Sequence, residues 1–312
     1  MTALDPAVSS PPTLAHAPTG AAASAAPRLE ASHLELAYDD RTIVQDLSLG
    51  IPTSQITVIV GPNACGKSTL LRALGRLLNP KHGSVLLDGD EIRSLPTREV
   101  AQKLGVLPQQ PISPDGIAVT DLVARGRHPH QRWFRQWSKD DELAVEQALA
   151  ATKTTALADR SVDELSGGQR QRVWIAMALA QGTDLLLLDE PTTFLDLTHQ
   201  IDVLDLLCDL NREQDRTIVC VLHDLNLACR YAHHLVAMRD GEIVAEGPPA
   251  EIVTQQLVQD VFELDARIIT DPVSGTPLVI PIGRHHSDQL AAEADHVPLP
   301  GLNHPVTAEE PS

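Results

Sequence analysis

The chain runs to 312 residues, 43% hydrophobic and only 3% aromatic, with a formal net charge of −18 and a sequence pI near 5.0. That much apolar material builds a substantial core, in one large domain or two small ones. The acidity and the scarcity of aromatics argue against a nucleic-acid groove or a base-stacking platform. Cys65, Cys208, Cys220 and Cys229 show no paired or zinc-type spacing and are expected to be reduced, packed thiols. No apolar run approaches the roughly 18 residues that a membrane span needs.

Residues 1–28 are a low-complexity Ala/Pro/Ser stretch and are expected to be disordered. With no basic start and no continuous apolar segment, they do not read as a signal peptide. Four short apolar runs follow in the body of the chain. Ile56–Val60 runs into Gly61, and Leu104–Leu107 runs through Pro108 into Gln109. Leu185–Leu188 runs into Asp189 and Glu190, and Thr217–Leu222 into His223. Such runs suit strands buried on both faces, as in a parallel sheet. Open parallel sheets bind ligands at the carboxyl ends of their strands, so the four runs predict one edge that carries phosphate chemistry. Between Gln109 and Asp189 the strand-like runs vanish. Asp140–Ala158 and Gly168–Gln181 read as helices there, predicting a helical insertion over about residues 110–180. Beyond His223, Leu235–Ala237 and Ile243–Ala245 flank Asp240-Gly241, which predicts a hairpin, and a helix is expected over Ile252–Leu264. The tail from residue 285 carries five acids and no Lys or Arg, and the first 28 residues are neutral, which leaves −13 on the residues between. The expected organisation is a tail over 1–28, a folded domain over 29–270 and a largely disordered extension over 271–312.

The chemistry lies in three motifs. Gly61-Pro62-Asn63-Ala64-Cys65-Gly66-Lys67-Ser68-Thr69 has the spacing G-x-x-x-x-G-K-[ST], after a strand run and before the helical Leu70–Leu74. The glycines let the backbone curl until successive N–H groups point inward, and the helix N-terminus adds partial positive charge. Lys67 supplies a cation for the terminal phosphates of ATP, and Ser68 a ligand for Mg²⁺. Asp189 can hold Mg²⁺ through water, while Glu190 can position or deprotonate the attacking water. Leu165-Ser166-Gly167-Gly168-Gln169 adds a second anion-binding helix start. Ser166 is a natural N-cap, the two glycines make a nest, and Val173, Ala176, Met177 and Ala180 follow at helical spacing. Two such helix starts beside one phosphate loop suggest a nucleotide shared between two copies of the chain.

On these motifs the chain resembles the ATPase subunits of ABC transporters, over roughly residues 29–265; L-S-G-G-Q is particular to that family. The resemblance implies an α/β fold: a P-loop NTPase core with a mainly parallel sheet, an N-terminal antiparallel β portion and an inserted helical subdomain. It implies a head-to-tail dimer in which Leu165–Gln169 of one copy closes over the phosphate loop of the other. It also implies roles for single residues. Gln109 matches the glutamine that contacts Mg²⁺ and the attacking water and couples to the permease; Gln110 follows it, and the register is taken from Leu107-Pro108. His223 matches the histidine that meets the γ-phosphate, Asp196 lies in the loop after the catalytic Glu190, and Tyr38 matches the aromatic that stacks on adenine. Cys65 sits at a loop position open to any residue, and no chemistry is expected of its side chain.

No membrane span is fused to the motifs, which favours an importer assembled from separate chains. The partners expected are a second copy, integral-membrane permease subunits and, indirectly, a substrate-binding protein, at the cytoplasmic face of the membrane; no nucleic acid is expected. The stretch between His223 and the acidic tail is too short for an added regulatory domain. Val123–His130, just past Gln109 where a permease helix is expected to dock, resembles the ferric-siderophore and vitamin B12 importer ATPases, as do Asp196–Asp202 and His223–Ala232. The ferric-enterobactin type looks nearest. Haem or vitamin B12 is the alternative cargo. A soluble ABC ATPase is the alternative class, but a second cassette or a long coiled-coil insertion would mark it, and neither is present. His128 and His130 invite a metal-site reading; a docking loop is preferred.

Overall fold

The computed structural model describes residues 27–131 and 137–283. The chain opens with β1 (Leu29–Tyr38) and β2 (Arg41–Ile51), followed by β3 (Ile56–Val60), α1 (Lys67–Leu74), β4 (His82–Leu87) and the two-residue β5 (Asp90–Glu91). β4 and β5 return to the first pair, giving an antiparallel sheet in the order β2-β1-β4-β5. Next come α2 (Thr97–Lys103), β6 (Leu104–Leu107), α3 (Val119–Ala124), α4 (Lys139–Ala151), α5 (Gly167–Ala180) and β7 (Leu185–Asp189). The rest of the chain is α6 (Leu197–Gln214), β8 (Thr217–Val221), α7 (Leu225–Tyr231), β9 (His234–Arg239), β10 (Glu242–Gly247), α8 (Pro249–Ile252), α9 (Gln255–Phe262), β11 (Ala266–Thr270) and β12 (Pro277–Pro281).

The four apolar runs become β3, β8, β7 and β6, adjacent in that order and mutually parallel. β9 adds a further parallel strand beside β3, and β10 pairs antiparallel with it across the Asp240-Gly241 turn. Every residue of β3, β7 and β8 is buried. Alternate side chains serve two separate cores, as the pleat requires. Val58, Leu186 and Ile218 join a core with α3 to α7, whereas Ile59, Leu187 and Val219 join one with α1 and the antiparallel sheet. A parallel sheet covered on both faces needs such runs, and its strands end together at one edge. Gly61, Asp189 and the residues after β8 and β6 reach that edge.

α3, α4 and α5 form the expected insertion, and their core is continuous with the α6 face of the sheet. The helix expected over Asp140–Ala158 stops at Ala151. The hydroxyls of Thr152 and Thr154 bond each other and the carbonyls of the preceding turn, and Lys153 takes a left-handed φ of 55°. Hydroxyl side chains that compete for backbone carbonyls end helices in this way. The helix expected over Ile252–Leu264 is two helices, because the Thr254 hydroxyl caps α9 by accepting from Leu257 N at 3.1 Å. The boundary expected at residue 270 also moves: β12 pairs with β11 throughout, so regular structure continues to Pro281. Residues 1–26 and 284–312 of the expected tails lie outside the described residues.

Candidate functional site

The phosphate loop leaves β3 and wraps into α1. Gly61 has φ 152° and its Cα lies so close to β9 that a Cβ would meet the Met238 carbonyl oxygen at 2.2 Å. No other residue fits there, which is the physical content of the motif's first glycine. Lys67 is buried and donates from Nζ to the carbonyls of Gly61 and Pro62, both at 2.8 Å, so its ammonium lies inside the curl of the loop. Ser68 Oγ donates to Asp189 Oδ1 at 2.8 Å, which joins the loop to the end of β7. Cys65 is not at an unrestricted position. Its side chain is 4% exposed and packs on Gly61, and burial pushes its thiol up, away from reactivity.

Glu190 lies just past β7 in a left-handed conformation (φ 53°) and is 9% exposed. Three side chains converge on its carboxylate. Gln109 Nε2 donates to Oε2 at 2.6 Å, Thr193 Oγ1 donates to the same oxygen at 2.9 Å, and His223 Nε2 lies 2.6 Å from Oε1. A carboxylate oxygen accepts, so Nε2 carries the proton in this contact. Asp189 is 3% exposed. Burial raises its carboxyl above the ordinary range and Glu190 adds to this, while the Ser68 hydroxyl opposes it. Arg41, Ile43, Asn63, Ala64, Gly66, Lys67, Ser68, Thr69, Glu190 and His223 line one open cleft.

The tertiary structure thus brings Lys67, Ser68, Gln109, Asp189, Glu190 and His223 together from four strand ends. Tyr38 sits at the rim, 41% exposed, paired in register with Arg41 and accepting from Arg72 Nη1 at 3.1 Å. Ser166, Gly167, Gly168 and Gln169 do not line the cleft. They open α5, where Ser166 and Gln169 form a reciprocal capping box. Asp196 is likewise outside the cleft, capping α6 through His199 N at 2.9 Å and meeting His199 Nδ1 at 2.7 Å. The two helix starts touch each other: a Cβ on Gly168 would fall 2.3 Å from His199 Cδ2. Sequence reasoning missed Thr193, Arg41 and Ile43. Thr193 follows another threonine, and nothing local says which hydroxyl turns to the glutamate.

Val123–His130 is structural on two of its charged residues. Arg127 is buried, donating to Asp141 Oδ1 at 2.9 Å and to the Ala180 carbonyl at 2.8 Å, and His130 Nε2 bonds the Gln181 carbonyl at 2.7 Å. Arg125 and His128 alone of its charged or imidazole side chains stay exposed. Among the described residues no group of His, Cys, Asp and Glu is placed to hold a metal.

A curled phosphate loop, a strand-end acid pair and a glutamine and histidine closing on the glutamate define a P-loop ATPase. Residues 44–193 match the family model described as ABC transporter. The siderophore transport system ATP-binding protein YusV of Bacillus subtilis, named there as probable, is 61% identical over 80% of this chain and 91% of its own. The ferric enterobactin transport ATP-binding protein FepC of Escherichia coli is 56% identical over 82% of this chain and 95% of its own. A dimeric bacterial ABC transporter cassette superposes with a TM-score of 0.64 at 28% identity, over 70% of this chain and 98% of that one. The chain belongs to the ABC transporter family, as one of its ATP-hydrolysing subunits.

Proposed function

We propose that the chain powers a membrane importer of ferric siderophores, working as a head-to-tail pair on permease subunits at the cytoplasmic face of the membrane. The observation that carries the ATPase half is the carboxylate of Glu190, oriented by Gln109 and His223 beside the Lys67 loop. The cargo half rests on the transport proteins YusV and FepC, whose names carry siderophore and ferric enterobactin. Among the described residues no helix is long and apolar enough to cross a membrane, so the permease supplies the membrane contact in this reading.

The loop amides and Lys67 bind the phosphates, and Glu190 takes the proton of the water that attacks the γ-phosphorus as ADP leaves. His223, hydrogen-bonded to Glu190, orients that carboxylate and reaches the γ-phosphate side. The hydroxyl of Ser68, the carboxylate of Asp189 and the amide oxygen of Gln109 are hard oxygen donors of the kind Mg²⁺ takes alongside phosphates, and Ser68 and Asp189 already meet at 2.8 Å. Held by these residues, Mg²⁺ would supply charge neutralisation for the phosphates. Ser166, Gly167 and Asp196, exposed outside the cleft, are assigned with the neighbouring Gly168 and Gln169 to the nucleotide of the second copy.

Glu190→Gln keeps the shape of the site and removes the base. ATP binding should persist while turnover falls by about 10²–10⁴-fold; near-normal hydrolysis would remove Glu190 from this role. The cargo is tested by uptake of labelled ferric siderophores, haem and cobalamin in a strain lacking the chain. Loss of uptake of none of the siderophores would overturn the assignment.

A further inference from the structure

α7 begins two residues after His223 and has only seven residues, with Asp224 as its cap. A helix that short is not stable by itself and takes its position from what it packs against. Its apolar side, Leu227, Ala228 and Cys229, is buried in the core. Its polar contacts run to α6, where Tyr231 Oη donates to Asp205 Oδ1 at 2.8 Å, and to the C-terminal hairpin. Asn226 Nδ2 donates to the Val279 carbonyl at 3.1 Å, and Val279 N donates back to Asn226 Oδ1 at 2.7 Å, so the amide pairs with β12 as another strand residue would. One turn on, Arg230 Nη2 and Nε donate to Asp271 Oδ2 at 2.5 and 3.2 Å. Asp271 is 5% exposed and also accepts from Val273 N and Ser274 Oγ, so the partner of Arg230 is itself held.

We propose that Asn226 and Arg230 are positioning residues for His223, and that the β11–β12 hairpin sets the aim of the histidine by holding both ends of α7. His223 is the hinge between a rigid buried strand and this clamped helix. Its side chain is 45% exposed and reaches Glu190 at 2.6 Å, so little around the ring fixes it and the backbone must. Neither Asn226 nor Arg230 lines the cleft. The inference rests on His223 acting on the γ-phosphate side.

The test compares steady-state Mg-ATP hydrolysis by the full chain in Asn226→Ala, Arg230→Ala, Arg230→Lys, His223→Ala and Arg28→Ala. Arg28→Ala breaks the Arg28–Asp88 pair on the antiparallel sheet, at the far end of β1 from Tyr38, and is the stability control. Asn226→Ala and Arg230→Ala should each lower kcat roughly tenfold with KM for ATP within about twofold, since a small misplacement of a reacting group costs rate rather than binding. Arg230→Lys should recover part of the loss, and Arg28→Ala should leave both constants alone. If His223→Ala abolishes turnover while Asn226→Ala and Arg230→Ala lower only the melting temperature, the hairpin is merely structural and the inference is overturned. If His223→Ala turns over normally, the reading of the site fails instead. Should Asn226→Ala not fold, the Arg230→Ala and Arg230→Lys pair decides by the same split.

Discussion

Asp189 ends β7 with its carboxyl 3% exposed, and burial holds that carboxyl above the ordinary range. The folded chain therefore keeps this proton to a higher pH than the unfolded chain does. Its contribution favours folding most below the unfolded carboxylate value and is lost as pH rises through the raised folded value. Asp189→Asn should raise the melting temperature at pH 7 and abolish Mg-dependent turnover; thermal unfolding at pH 5 and pH 8 checks it, and a lower melting temperature at pH 7 would contradict it. Gly168 is a residue of another kind. A methyl there would sit 2.3 Å from the His199 ring, so Gly168→Ala should cost about 1–3 kcal/mol as overpacking does. His199→Ala in the same chain should restore most of that loss, measured by denaturant unfolding, and no recovery would mean that the ring is not the obstacle. The motif's two glycines read from sequence as a nest; that the second is also a seat for the first turn of α6 required the fold.

Arg127 and Asp141 tie the start of α4 to the end of α5. Burial alone would push the Asp141 carboxyl up, but the Ser138 hydroxyl and amide and the Arg127 guanidinium hold it below its usual value. A depressed carboxyl stabilises the fold above the unfolded carboxylate value, and the contribution is lost as pH falls through the lower folded value. Arg127→Ala strands a buried carboxylate and should cost about 3 kcal/mol while phosphate-loop binding of ATP survives. Differential scanning calorimetry with a nucleotide-binding assay separates the two effects. Elements with strong periodic or apolar signals were legible: the four central strands, the Asp240-Gly241 hairpin and the N-cap at Ser166 all follow from local pattern. Helix ends were less so, because Thr152, Thr154 and Thr254 compete for backbone groups in ways that periodicity does not register. The segment Val123–His130 was read as a docking loop from its place just past Gln109, but two of its four charged or imidazole residues satisfy carbonyls at the end of α5. Charge by itself does not tell a solvated arginine from a buried one with a partner.

For the molecule as a whole, the exposed surface around the start of α5 matters most. Phe194 is 89% exposed and Leu197 69% exposed, adjoining Asp196 and the exposed Ser166. Large apolar side chains grouped around a polar anion-binding motif mark a contact surface. With ATP and Mg²⁺, the Glu190→Gln chain should run at twice its single-chain mass, and adding Ser166→Arg should return it to the single mass. Light scattering checks both, and a doubled mass that survives Ser166→Arg would dissociate the motif from pairing.

The sequence by itself determined the chemistry. The loop Gly61–Thr69, the acid pair at Asp189-Glu190 and the L-S-G-G-Q run are local words whose spacing is dictated by backbone geometry over a few residues, and the apolar runs before them dictate a buried parallel sheet. What only the tertiary structure decided is which side chain answers which. Gln109, Thr193 and His223 are separated by up to 114 positions in the chain, and they converge on Glu190 because β6, β7 and β8 end at one edge. The same holds for α7, whose grip by Val279 and Asp271 depends on a hairpin returning from the end of the described chain. Contacts between residues far apart in sequence depend on how strands are ordered in a sheet, and that order is a property of packing rather than of any local stretch.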